Sequence, residues 1–448
     1  MNGASESFHV KTKAKRTLQL LRDYESANVT YVEADGSWPI VWQRAKGTHV
    51  WDADGKKYLD LTGAFGVAAA GHANARVVAA GQRQMATLLH AMGDVHPHAL
   101  KAELARELSR MTFGRWASRR KSTKPIIASG KTIFCNSGFE AVEAALKTAI
   151  LATGKRGVVA FSGAYHGLGY GALNATHRDH FRDPFRVQLR EFCHFSPFPK
   201  DDRDLAEVER VIRSYFHRHK IGAILVEPIQ ARGGINIPPP QFLPLLRRLC
   251  DEHRALLILD EIYTGFGRTG KWFACEHSGT VPDVICLGKA LTGGFPLSAC
   301  VGRADVMDAA WPPSTGEAIH TSTFLGHPVG CAMALAQIME IKKEKLVNRS
   351  ARSGKFLMRS LRKEFSSPKW QLEIRGAGLM AGLEIKNQQG APATALSLKV
   401  IKELLHRGFI FLPEGEHANV ISFTPPLTIS EAELQKAVRE LNKVLNSI

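Results

Sequence analysis

An α/β fold built on a mostly parallel sheet, with a smaller α+β portion contributed by both chain ends, is what this sequence predicts. Three observations carry the prediction. Short apolar runs of about four to six residues recur through the middle of the chain, the pattern of strands buried on both faces of a parallel sheet. Amphipathic segments with helical spacing separate them, which gives the alternation of a layered α/β domain. Two of the runs end on charged residues, Ala255 to Asp260 on a carboxylate and Val284 to Lys289 on an amine.

The elements follow in chain order. Trp51 to Asp60 reads as a hairpin whose turn is Asp54-Gly55. Thr132 to Cys135, Val158 to Phe161, Ala223 to Val226, Ala255 to Leu259 and Val284 to Leu287 read as strands. Glu140 to Leu151 and Phe242 to His253 are the amphipathic helices between them, and a helical pattern from Cys331 to Lys345 leads into a C-terminal α+β region. With 448 residues, of which 44% are apolar, the chain exceeds what one core usually supports. The expected division is residues 1–75 as the N-terminal segment of the smaller domain, 76–330 as the large domain, and 331–448 as the rest of the smaller one.

Composition narrows the setting. No apolar run approaches the roughly eighteen residues of a membrane span, and Met1 to Ser7 has no apolar stretch of the signal-peptide kind. The seven cysteines are scattered and never form a Cys-x-x-Cys pair, so free thiols in a reducing cytoplasm are expected. The net charge of +17 gathers at Lys11 to Arg16, Arg115 to Lys124 and His217 to Lys220. These clusters are dispersed and not interleaved with aromatics, which reads as solvated faces and loops, with attraction of anionic substrates or nucleic acid as the lesser alternative; no nucleic-acid partner is expected. The Leu18 to Leu21 run reads as a docking helix.

Ligands of parallel sheets sit beyond the carboxyl ends of the strands, so Asp260 and Lys289 are expected to meet at one sheet edge. An amine that holds an aldehyde, beside an acid that keeps a pyridine nitrogen protonated, is the pair that pyridoxal phosphate (PLP) chemistry requires. Ser137 and Gly138 follow a strand and open a helix. Free amides and the positive end of the dipole accommodate a phosphate there, although Ser137 with Glu140 also matches an ordinary capping box.

Taken together, these residues resemble the class III aminotransferases, fold-type-I PLP-dependent transferases related to the 4-aminobutyrate and ornithine enzymes. The resemblance runs from about Trp51 to Leu427. It includes Gly71-His72, Asn136 to Glu143, Ala164-Tyr-His-Gly167, Glu227-Pro-Ile-Gln230, Asp260 to Gly270, Gly288 to Gly294, His320 to Pro328, Arg375 to Met380 and Thr424-Pro-Pro-Leu427. It implies a ping-pong transfer of an amino group from an amino acid, ω-amino acids included, to a 2-oxo acid. Lys289 would hold the cofactor and shuttle a proton, and Asp260 would pair with the ring nitrogen. Tyr165 and Ile262 would pack on the two ring faces. Ser137, Gly138, Phe139, His166, Glu227 and Tyr263 would complete the cofactor site, and Arg375, Arg232 and Phe65 would face the substrate. Thr323 would reach the phosphate in the neighbouring subunit, which makes a homodimer with shared sites, or a tetramer of such dimers, the expected assembly.

The sequence departs from the family at instructive positions. Arg232 stands where many relatives have a glutamate that masks the carboxylate-binding arginine, here Arg375. An unpartnered buried guanidinium costs several kcal/mol, so an anionic substrate or an acidic neighbour must compensate. Donors bearing a carboxylate are therefore expected over simple diamines. Tyr263 replaces a glutamine near the ring hydroxyl, and Phe139 a small residue in the phosphate turn.

Two signals are set aside. Gly265 to Gly270 matches Gly-x-Gly-x-x-Gly, but no periodic helix follows it. His96, His98, His217 and His219 lack partners at metal-site spacing, and no metal is expected. Three competing readings remain at this stage: a PLP-dependent racemase, epimerase or decarboxylating transaminase of the same fold, a basic binding module without chemistry, and a nicotinamide dehydrogenase.

Overall fold

The computed structural model describes residues 12–33, 37–119, 129–365 and 369–448. Lys11 and residues 120–124 of the basic runs, and Met1 to Ser7, lie outside the described residues. The strands in chain order are β1 Trp42–Lys46, β2 His49–Asp52, β3 Lys57–Asp60, β4 Gly130–Cys135, β5 Gly157–Phe161, β6 Cys193–Ser196, β7 Ile221–Val226 and β8 Leu256–Asp260. They continue with β9 Val284–Leu287, β10 Ser298–Arg303, β11 Gln371–Ala377, β12 Met380–Lys386, β13 Phe409–Ile410, β14 Leu412–Glu414 and β15 Val420–Phe423.

Seven of these form the central sheet, in the order β4-β10-β9-β8-β7-β5-β6. Every neighbouring pair from β9 to β6 is parallel, and β10 alone runs against its two neighbours. All residues of β5, β7 and β9 are buried, as strands covered by helices on both faces must be. The start of β8 is tied by Asp283. Its carboxylate accepts from the Leu257 amide at 2.8 Å and pairs with Arg247 and Arg303 at 2.7 and 2.8 Å. One buried carboxylate thus holds β8, the helix Phe242–His253 and β10 together.

The expected elements are present, with shifted limits. Helix Gly138–Thr153 contains the Glu140 to Leu151 pattern, and helix Pro328–Lys343 starts earlier than Cys331 because Pro328 takes the first helical position. The hairpin is β2-β3, with Trp51 opposite Lys57 and Gly55 at φ +93° where the turn requires a left-handed residue. Helix Lys13–Tyr24 contains Leu18 to Leu21 and buries Leu18.

Two smaller sheets flank the central one. The first has the order β1-β2-β3-β13, so Phe409–Ile410 from late in the chain pairs in parallel with Leu59 and Asp60 from early in it. The second, β11-β12-β15-β14, carries Arg375 and Glu384 on adjacent antiparallel strands. The core is continuous from Phe161 and Leu259 in the central sheet to Ile421 and Phe423 in the last one. The loop after β8 folds as turns around fully buried Glu261, whose carboxylate accepts from Thr264 Oγ1 and the amides of Ala274 and Cys275. Within it, buried Arg268 donates to the Leu379 and Pro425 carbonyls, so the Gly265 to Gly270 stretch joins the sheets to each other.

Candidate active site

Parallel pairing of β8 with β9 sets Asp260 opposite Cys286, and the chain then passes Gly288 to Lys289. Both side chains line one cavity of about 350 Å³ beyond the carboxyl ends of these strands. Lys289 holds a left-handed backbone (φ +41°), a conformation that costs free energy in a residue with a side chain. Its ammonium lies 4.1 Å from the centroid of the Tyr263 ring. Burial pushes the Lys289 amine below its ordinary range, with Asp260, Glu227 and Glu414 opposing that shift and Arg232 adding to it.

Asp260 is held on both oxygens. Oδ2 lies 2.8 Å from His166 Nδ1, and Oδ1 accepts from the Ile262 amide at 3.1 Å. His166 is buried, its amide donates to Thr176 Oγ1, and its Nε2 has no hydrogen-bond partner. Glu227 directly follows β7 and accepts from the amides of Tyr165 (2.9 Å) and Ala231 (3.2 Å), which fixes the loops that carry Tyr165 and Arg232. Burial pushes its carboxyl up to about 7, with His166 opposing.

At the mouth of helix Gly138–Thr153 the Glu140 carboxylate accepts from the Asn136 and Ser137 amides at 2.6 and 2.8 Å. That half of the capping box is formed. The Ser137 hydroxyl, in contrast, is buried without a partner. Gly138 faces Ile262, where an added Cβ would lie 3.1 Å from the Ile262 side chain. Pyridoxal phosphate fits these residues on three counts: an unsatisfied hydroxyl and helix amides for a phosphate, a braced carboxylate for a ring nitrogen, and a buried amine for an aldehyde.

The cavity brings together Gly138, Phe139, Tyr165, His166, Glu227, Asp260, Ile262, Tyr263, Lys289 and Arg232, with Ser137 adjoining in sequence. Tyr263 directs its hydroxyl to Thr424 Oγ1 at 3.2 Å, and its ring backs onto the turn Gly63–Gly66. Besides Ser137, three expected site residues are not in the lining. Phe65 sits on that turn with a left-handed backbone (φ +59°) and a half-exposed ring. Thr323 is exposed. Arg375 spends its guanidinium on the Ile235 carbonyl (3.0 Å), the Gly234 carbonyl (2.6 Å) and Glu384 (2.6 Å).

Two acids that no sequence pattern indicated supply the compensation that two arginines require. Glu384 faces Arg375 from β12. Burial raises its carboxyl, but Arg375 and Lys386 together hold it below the usual range. Glu414, at the end of β14, lies 3.7 Å from Arg232 with only 2% of its side chain exposed. Burial pushes Glu414 up to about 7 against the pull of Arg232, Lys289 and Arg178. Among the described residues no group of three or more His, Cys, Asp or Glu is placed to hold a metal ion.

The raised carboxyl of Glu227 predicts a pH dependence of stability. The folded protein keeps this proton up to about 7, whereas the unfolded chain releases it near 4.5. Its contribution is therefore full below the unfolded value and is lost as pH rises through the folded one. In cofactor-free protein, Glu227→Gln is expected to flatten the fall in Tm between pH 5 and 7.5 while Glu414 leaves a residual slope. Identical slopes in variant and wild type contradict this origin.

Comparison with known proteins places this geometry. The profile of the family described as aminotransferase class-III matches residues 30–445. The 5-aminovalerate aminotransferase of Pseudomonas aeruginosa is 35% identical over 422 residues, covering 92% of this chain and 94% of the relative. The putrescine aminotransferase of Pectobacterium atrosepticum is 36% identical, covering 93% and 85%. An amine transaminase from an uncultivated Pseudomonas species, solved in its PLP-bound form, superposes with a TM-score of 0.81 at 27% identity, covering 94% of this chain and 98% of that one. The chain belongs to the class III aminotransferases, PLP-dependent enzymes of fold type I.

Proposed function

We propose that this enzyme takes the terminal amine of an unbranched aliphatic donor and passes it to a 2-oxo acid, with Lys289 as the catalytic residue. The observation that carries the reading is a partly buried lysine, lowered in basicity by its desolvation, at the same sheet edge as a braced aspartate. The relatives named for 5-aminovalerate and putrescine, both terminal amines, support the donor class. Each relative and neighbour compared above is named for amino transfer, which favours transfer over racemisation. When bound, pyridoxal phosphate supplies an aldehyde that accepts the amine and a ring that draws electrons from the adjacent carbon.

The chain's own residues divide the remaining work. Ser137 and the first amides of helix Gly138–Thr153 bind the phosphate. Asp260, oriented by His166, keeps a proton on the ring nitrogen. Ile262 and Tyr165, both in the cavity lining, would pack on the two faces of a bound ring. Lys289, more readily deprotonated than a solvated lysine, removes a proton from the substrate carbon and returns it. Glu227 holds the Tyr165 and Arg232 loops in register.

The active unit is a homodimer in this reading, and Thr323 serves the partner's phosphate site. Its support is an exposed apolar surface close to Thr323: Leu89, Met92, Val95, Ile319 and Phe324 are each more than half exposed, and the His90 and Phe324 rings lie 5.4 Å apart. Seven free cysteines, six of them buried, support a reducing cytoplasm, and among the described residues no helix is long and apolar enough to cross a membrane.

For the catalytic residue, borohydride treatment of the purified enzyme is expected to attach the cofactor to the peptide containing Lys289, as read by mass spectrometry. Lys289→Ala should retain the cofactor through its phosphate and lose at least about a thousandfold in turnover. Wild-type-like turnover in that variant refutes the assignment. For the assembly, light scattering should give the mass of a dimer, a crystal structure of it should show an interface of roughly 2,000 Å² or more, and Thr323→Ala should weaken cofactor retention. A fully active monomer at nanomolar concentration contradicts it.

A further inference from the structure

The two substrates of the proposed transfer pose one problem for one cavity. A 2-oxo acid brings a carboxylate beside the reacting carbon, whereas a terminal amine brings none. An arginine that receives the carboxylate must have another partner when the carboxylate is absent, because an unpaired buried cation is expensive. The resemblance assigns the receptor to Arg375, but the structure leaves that side chain no free face. Its three nitrogens are committed to Glu384 and to two carbonyls, and the nitrogen that meets Glu384 also lies 3.2 Å from Glu373.

Arg232 is placed differently. It lines the cavity with about 30% of its side chain exposed, and its guanidinium lies 5.7 Å from the centroid of Tyr165. Its only acidic contact among the described residues is Glu414 at 3.7 Å, too long for a hydrogen bond. The contact is nonetheless built in, because the Gly415 amide donates to the Arg232 carbonyl at 3.1 Å and fixes one backbone against the other. The charges of Arg232, Lys289 and Arg178 all act on Glu414, and Glu414 in turn acts on the Tyr263 hydroxyl. Arg178 is anchored on the same loop through the Glu416 carbonyl at 3.2 Å.

We propose that Arg232 is the carboxylate receptor of this enzyme and that Glu414 is its exchangeable counter-ion, while Arg375 is a structural residue locked by Glu384. With a terminal amine in the cavity, Glu414 neutralises Arg232. With a 2-oxo acid, the substrate carboxylate takes Arg232 in a two-pronged contact, and Glu414 retains Arg178 as a partner or takes up a proton, which its burial favours. Neither state leaves a buried charge alone. The arrangement departs from the resemblance: an arginine stands at 232 in place of the acid, and its removable partner comes from β14. The inference rests on the proposed function for the choice of substrates, but not for the existence of the receptor.

The test is calorimetric titration of the holoenzyme with glutarate, which has carboxylates but neither amine nor oxo group, alongside kcat/KM for 2-oxoglutarate and putrescine. Arg232→Gln is expected to weaken glutarate at least about thirtyfold, on the scale of one lost charge-assisted contact. It should raise KM for 2-oxoglutarate similarly, a loss at least about tenfold larger than any it causes in kcat/KM for putrescine. Glu414→Gln should do the reverse, tightening glutarate several-fold and lowering kcat/KM for putrescine. A residue that merely supports the fold would not split the two substrates in this way. Arg232→Lys, which keeps the charge but not the fork, should fall between Arg232→Gln and wild type.

Absence of glutarate binding to the wild type overturns the proposal, as does equal binding by Arg232→Gln. A larger loss in Arg375→Lys than in Arg232→Gln, at unchanged Tm, moves the receptor to Arg375 and also overturns it. If glutarate behaves as expected but no amino group is transferred from any donor, the receptor stands and the aminotransferase reading fails instead.

Discussion

The parallel register of β8 against β9 is the constraint on which the rest depends. It sets Asp260 opposite Cys286, so that the next residues of each strand emerge at one edge and Lys289 enters the cavity that Asp260 lines. The register is held from the other end by Asp283, which binds the Leu257 amide and the two arginines flanking it. Because these strands are buried on both faces, a slip of one residue would turn charged ends into the core. The strained backbone of Lys289 sits two residues beyond the end of β9, at the edge that the cavity uses.

Around that pair the cavity is a problem in charge balance. Lys289 and Arg232 are cationic neighbours, and burial makes both costly. Asp260, Glu227 and Glu414 each favour the charged form of Lys289, while Asp260 is itself braced by His166. The acids come from separate elements: β7's end, β8's end and β14. The second small sheet therefore does more than cover the large one, because it closes the electrostatics of the cavity through Glu414 and restrains Arg375 through Glu384. Arg268, buried between the sheets and bonded to the Leu379 and Pro425 carbonyls, ties that sheet to the loop after Asp260.

Legibility followed the physics of each feature. Val284 to Leu287 and Ala223 to Val226 could be read because strands covered on both sides must be continuously apolar, and Gly138–Thr153 because its apolar residues share one face. The Asp260 and Lys289 positions followed from where those runs ended. Strand β10 left little signal, since Ser298–Arg303 mixes small, apolar and charged residues and pairs antiparallel with both neighbours. Glu384 and Glu414 could not be found at all. Their partners lie on other elements, and a charge pair made by folding has no period in the sequence. The need for an acid near Arg232 was evident, but not its address. Phe65 and Thr323 rest on resemblance, and both lie outside the lining of the single chain.

The most direct test of the account is whether Asp260 acts through a charge on the cofactor ring. Asp260→Ala should fold and retain pyridoxal phosphate, yet lose about a hundredfold or more in turnover. Loading the same variant with the N-methylated cofactor, whose ring carries a fixed positive charge, should then recover at least about tenfold of that loss. Undiminished turnover in Asp260→Ala, or equal turnover with the two cofactors, would contradict the role that the β8–β9 register gives this residue.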